Sequence, residues 1–331
     1  MRYAFRSLIA VLLAIVPFVP ALAAAPADPP NPYVEDGWAK FPDGRRWGAV
    51  GALDIDRNGH IWAAERCGGN SCADNNVPPV VELDASGKYI RSFGAGIFSV
   101  PHGIALDRDG NVWVSDQVGK GNKGHVVVKF SAEGKVLMTL GKPGVAGTTD
   151  DTFNQPSDVI VAPNGDIFVA DGHGGDSNAR IVKFSKDGRF IKAWGKKGSA
   201  PGEFDTPHGL AFDSQGRLFV ADRANSRIQI FDQDGKFLAE WKQFGRPSGV
   251  YIDANDTLYV VDHQSNAKLN PGVKRGIRIG SAKDGTVTGY VPGLGTEADA
   301  YNVGEGVVAD AAGNIYTAEP AGMMVRKFVR K

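Results

Sequence analysis

VPHGIALDRDGNVWVSD (residues 100–116) and TPHGLAFDSQGRLFVAD (206–222) carry nearly the same pattern twice. Each joins a short apolar run ending in Asp to a Gly-containing hairpin and a second apolar run ending in Asp. Four further copies lack the histidine. The six heads are GALDID (51–56), HGIALD (102–107), SDVIVAP (157–163), HGLAFD (208–213), SGVYID (248–253) and EGVVAD (305–310). The six following runs are IWAAE, VWVSD, IFVAD, LFVAD, LYVVD and IYTAE. A third strand and hairpin follow in several units, as in VVVKFSAEGKVL, RIVKFSKDGRFI and RIQIFDQDGKFL, where the Asp-Gly steps of the last two are hairpin signals. Heads begin 51, 55, 51, 40 and 57 residues apart. Short strands in units of that period predict an all-β, six-bladed β-propeller over residues 47–331. The last unit ends with AGMMVRKFVRK, one strand short. NPYVEDGWAKFP (31–42), inside an N-terminal segment spanning 24–46, is expected to supply the missing outer strand and close the ring.

The 43 glycines and the absence of a long helical period agree with a turn-rich β protein. Lys plus Arg and Asp plus Glu number 37 each, with no basic cluster, which argues against a nucleic-acid partner. Residues 1–23 pair Arg2 and Arg6 with an apolar core and Ala21-Leu22-Ala23, the pattern of a secretory signal peptide. The alternative is an uncleaved anchor, against which Pro17 and Pro20 interrupt the apolar run. Removing Arg2 and Arg6 leaves 35 basic against 37 acidic residues, a net charge of −2. No second stretch is apolar enough to span a bilayer. The expectation is a periplasmic or secreted monomer, and in that setting Cys67 and Cys72 are expected to form a local disulfide.

Aligned by phase, the heads place Gly51, His102, Ser157, His208, Ser248 and Glu305 at one position of the repeat. His, His and Glu fall in blades two, four and six, so rotation about the axis brings them to a common centre. Two imidazoles and a carboxylate with an open face suit Zn2+, and equally Fe2+. The competing reading is a histidine that merely starts a strand. Just after the second runs stand Arg66, Gln117, Gly172 with His173, Arg223, His263 and Pro320. The acids before them recur in every unit and read as acceptors for neighbouring loops. Arg66 and Arg223 are candidates for gripping a carboxylate, or alternatively surface ion pairs. His173 is a candidate for acid–base work. His263 reads either as a polar pocket wall or as a solvated side chain. The blade-five insertion QSNAKLNPGVKRG (264–276) is expected to be a loop on the same face.

The units resemble NHL-type secreted propellers and, most closely, peptidyl-α-hydroxyglycine α-amidating lyases. FNQPSDVIVAPNGDIFVADG (153–172), the paired Pro-His-Gly heads and VADRANSRIQIF carry that resemblance. It implies a metal-dependent lyase that cleaves the C–N bond of an N-acyl α-hydroxyglycine, a peptide or small molecule, to an amide and glyoxylate. His102, His208 and Glu305 would hold the metal, Arg66 and Arg223 the substrate carboxylate, and His173 would occupy the place of a family tyrosine. The family carries a third histidine where this chain has Glu305. It also carries a calcium-binding aspartate where this chain has Gly306, with calcium otherwise held by main-chain carbonyls matching Leu53 and Ile104. A metal-dependent lactonase or esterase and a non-enzymatic NHL propeller that binds a peptide or envelope protein are the alternatives.

Overall fold

The computed structural model describes residues 28–36, 38–39, 41, 44–293 and 304–331. The expected signal peptide lies outside the described residues. The first strand, β1 (Tyr33–Asp36), belongs to the last blade. Blade one is the meander β2 (Val50–Ile55), β3 (Ile61–Glu65), β4 (Val80–Leu83) and β5 (Tyr89–Phe93). Blades two to five repeat it as β6 (Pro101–Leu106) to β9 (Val136–Leu140), β10 (Pro156–Val161) to β13 (Phe190–Trp194), β14 (Pro207–Phe212) to β17 (Phe237–Trp241), and β18 (Val250–Ile252) to β21 (Val287–Pro292). Blade six runs β22 (Gly306–Ala309), β23 (Ile315–Glu319), β24 (Met324–Arg330) and then β1, which pairs antiparallel with β24 from Tyr33↔Arg330 to Asp36↔Lys327. The N-terminal strand therefore closes the ring as its sequence led us to expect. Closure leaves blade six no unpaired outer edge at β24.

In five of the six blades the second strand is buried along its whole length, because both faces of each blade pack on neighbouring blades. These strands therefore read as continuous apolar runs. Outer strands are half-buried, with one exposed residue in each of blades one, three and four. The core lies between blades; between blades one and two it consists of side chains such as Trp62, Val80, Phe98, Val114 and Phe130.

The inner strands crowd the axis. A Cβ on Gly103 would lie 2.7 Å from the Ser157 carbonyl, and one on Gly209 would lie 2.5 Å from that of Ser248. This explains why glycine follows each head histidine: only a bare Cα lets neighbouring inner strands approach so closely. Residues 263–275 form the expected loop between β19 (Thr257–Asp262) and β20 (Gly276–Ser281). Cys67 and Cys72 are joined, with their Cα atoms 5.1 Å apart. Among the described residues, no helix is long and apolar enough to cross a membrane.

Candidate metal centre

Pro101 and Pro207 pair with Asp116 and Asp222, and the register then slips before Ile104 and Leu210 resume the ladder. A slip of this kind re-aims side chains. Here it frees His102 and His208 to turn toward the axis. His102 Nδ1 meets the Ser157 carbonyl at 2.7 Å, and His208 Nδ1 meets that of Ser248 at 3.1 Å. A carbonyl only accepts, so both Nδ1 atoms carry a hydrogen, and in the neutral rings both Nε2 atoms present a bare lone pair. These two Nε2 atoms are buried without a hydrogen-bond partner. They face Glu305 Oε1 at 3.8 and 3.0 Å.

His173 arrives from the loop after β11 (Ile167–Asp171), with its ring centroid 4.9 Å from that of His102 and 5.0 Å from that of His208. One ligand atom from each of His102, His173, His208 and Glu305 lies within 4.8 Å of the others. Arg223 Nη1 donates to Glu305 Oε1 at 3.1 Å, and Nη2 donates to His173 Nε2 at 3.2 Å.

Burial drives the imidazoles toward neutrality: His208 is held down to about 3, and His173 well below the usual histidine range. Burial pushes the Glu305 carboxyl up, but hydrogen bonds and charge from His102 and His208, where these carry a proton at Nε2, outweigh it and hold the group well below the usual carboxylate range. Bare Nε2 atoms cannot themselves stabilise a carboxylate. An ionised Glu305 facing imidazole lone pairs is an arrangement that calls for a cation at its centre besides Arg223. The orphaned Nε2 pair and the N/O donor set fit a divalent transition ion.

Arg66 stands at the rim. Its Nη1 donates to Asn70 Oδ1 at 2.8 Å; burial lowers its guanidinium, and the charge of Glu305 opposes that shift. His263 is buried behind the centre, its Nδ1 2.7 Å from Ser248 Oγ, and burial lowers it to about 4. It therefore backs the strand that orients His208 and is not exposed to solvent. Ser157 plays two parts, because its Oγ also donates to the Pro207 carbonyl at 2.6 Å. Sequence reasoning missed both serines as orienting residues, since their carbonyls carry no side-chain signature; their shared phase with the histidines was the available signal. The recurring acids act as loop acceptors: Asp116 takes the N–H groups of Ser99 and Val100 at 2.8 and 2.6 Å, and Asp222 takes that of Asp205 at 2.7 Å.

Beyond the centre the channel opens into a cavity of about 470 Å³. Leu53, Ile104 and Gly306 line it, as do Asp54 and Asp158, whose residual exposure faces this space. Asp54 accepts the N–H groups of Ile55 and Leu106, and Asp158 those of Val159 and Leu210. Burial pushes the two carboxyls up to about 6 and about 7. Gly306 contributes no carboxylate beside Leu53 and Ile104, and the nearby acids are engaged by backbone N–H groups. The donor set does not fit calcium.

The NHL repeat pattern matches residues 98–130 and 204–231. NHL repeat-containing protein 3 of Homo sapiens is 31% identical over 244 residues, covering 72% of this chain and 63% of that protein. Peptidyl-alpha-hydroxyglycine alpha-amidating lyase 1 of Drosophila melanogaster is 31% identical over 224 residues, covering 59% of this chain and 39% of that protein. The chain thus spans less than two thirds of these relatives. A gluconolactonase from Xanthomonas campestris shares the fold with a TM-score of 0.59 at 18% identity, covering 92% of this chain and 98% of that one.

Proposed function

We propose, from the premise that this chain is an NHL-repeat six-bladed propeller with amidating lyases among its relatives, that it is an exported, metal-dependent carbon–nitrogen lyase acting on an N-acyl α-hydroxyglycine. The observation that carries this reading is the pair of buried, partnerless Nε2 atoms facing one carboxylate oxygen. A Zn2+ or Fe2+ ion held by His102, His208 and Glu305 would supply Lewis acidity to the carbinol oxygen. Arg66 and Arg223 bind the substrate carboxylate, Arg66 from the rim and Arg223 from beside Glu305. His173 is neutral, and once Arg223 turns from it to the substrate carboxylate its Nε2 lone pair can take the hydroxyl proton. The carbinol oxygen becomes the aldehyde carbonyl as the C–N bond breaks, and the proton passes to the departing amide nitrogen. An amide and glyoxylate result.

Three protein donors leave a position for substrate, whereas a fourth donor would complete a tetrahedral shell. This assigns His173 to proton transfer. The test is metal content alongside glyoxylate release from an N-acyl α-hydroxyglycine. His173→Ala should keep the ion and lose turnover; loss of the ion in that variant would make His173 a ligand, and unchanged turnover would refute its role as base. The disulfide agrees with an oxidising compartment. The name of NHL repeat-containing protein 3 states no activity, and the likeness to it is equally compatible with a second reading, a partner-binding propeller. Full partner capture by metal-stripped protein that releases no glyoxylate would select it.

A further inference from the structure

The turn joining β2 to β3 lies at the opposite end of the channel from the histidine centre, since β2 begins opposite Glu65 and ends opposite Ile61. Corresponding sites in blades two and three each hold a built-in cation. Lys129 lies across from Trp113 on the ladder, 3.2 Å from Asp107 and 4.9 Å from the Trp113 ring centroid. Lys183 lies across from Phe168, 3.2 Å from Asp166 and 5.3 Å from the Phe168 ring centroid. Blade one keeps the aromatic residue, Trp62, and the turn acid, Asp56, but the ladder position across from Trp62 is Glu82. The lysine of the other two blades has become a carboxylate, and an imidazole stands between the two acids. His60 Nδ1 is 2.8 Å from Glu82 Oε1 and 3.7 Å from Asp56 Oδ2.

The remaining oxygens face elsewhere. Asp56 Oδ1 takes the N–H groups of Asn58 and His60, and Glu82 Oε2 takes Arg91 Nε at 2.6 Å. One oxygen from each acid faces His60 Nδ1, which shares a hydrogen bond with Glu82 Oε1, and one donor atom from each residue lies within 4.8 Å of the others on a cleft lined also by Trp62, Arg91 and Asp107. A second observation points to an occupant. Trp113 Nε1 donates to Asp107 Oδ2 at 3.1 Å, whereas its blade-one counterpart Trp62 Nε1 is buried with no hydrogen-bond partner. Trp62 is only 4% exposed.

We propose that Asp56, His60 and Glu82 form a second divalent-cation site, of Zn2+ type, in which a bound ion replaces the lysine ammonium of the neighbouring blades. Two carboxylate oxygens and an imidazole nitrogen make a borderline donor set suited to that class of ion, and water completes its shell. The ion ties the β2–β3 turn to β4 and takes no part in turnover.

The test is Zn2+ stoichiometry by mass spectrometry after dialysis. The wild-type protein should hold two equivalents, His60→Asn one, and the double variant His102→Ala/His208→Ala one. Asparagine is what blade two carries at the corresponding position, Asn111, so His60→Asn preserves the turn; Glu82→Gln provides an independent variant. Glyoxylate release, if present, should be unchanged in His60→Asn. The proposal is overturned if His60→Asn and Glu82→Gln both retain the wild-type stoichiometry, or if the central double variant binds no Zn2+. An empty centre together with a Zn2+ equivalent lost in His60→Asn would uphold this site and refute the lyase reading alone.

Discussion

Two sets of ionisable groups line the central channel, and they are satisfied differently. Asp54 and Asp158 each accept two backbone N–H groups, one from their own strand and one from the next blade. These aspartates clamp inner strands that share no ladder. His102 and His208 use Nδ1 on carbonyls and leave Nε2 without a hydrogen-bond partner. A buried polar group that is fully engaged stabilises its surroundings; one left open carries a desolvation cost that only a ligand removes. The first set reads as architecture and the second as a site.

The largest effect that would break this contrast is His208→Ala. Losing a Lewis-acid donor costs several kcal/mol of transition-state stabilisation. Glyoxylate release should fall by about a thousandfold or more, with the central ion lost and the circular dichroism spectrum retained. Full turnover would make the histidine set architecture too.

Next comes Arg223→Met, which strips Glu305 of its guanidinium. An unpaired buried charge destabilises by about 3–5 kcal/mol. Metal-free protein should lose that stability, and metal-loaded protein less, because the ion supplies the missing charge. Equal losses in melts with and without Zn2+ would place the ion elsewhere.

Asp158→Asn sharpens the other side. The Asp158 carboxyl is raised from 3.8 to about 7 in the folded state. Between those values the native protein holds a proton that the unfolded chain has released, so stability is full below the lower value and falls as pH rises through the upper. At about 1.4 kcal/mol per unit this amounts to a few kcal/mol. Asparagine should flatten that decline in denaturant melts at pH 4.5 and 7.5, while leaving metal content unchanged. The smallest effect belongs to Cys67→Ser/Cys72→Ser: so short a loop contributes at most about 2 kcal/mol, read as a modest drop in Tm.

The repeat was open to reading because short apolar runs and Gly hairpins are local signals; six copies in phase gave the blades, and the truncated sixth copy gave the closing strand. His102, His208 and Glu305 could be placed together for the same reason, since a rotational repeat converts equal phase into a shared axis. His60 showed no such phase, and its neighbours Asp56 and Glu82 became meaningful only beside Lys129 and Lys183.

The sequence by itself determined the ring, its closure and the three side chains directed at its axis, because each follows from a pattern that repeats. Only the tertiary structure decided that His173 joins them, that Arg223 bridges His173 to Glu305, and that His263 turns inward behind Ser248. Those residues sit on loops that differ from blade to blade. No period directs such side chains, and packing and burial in the assembled ring set where they point.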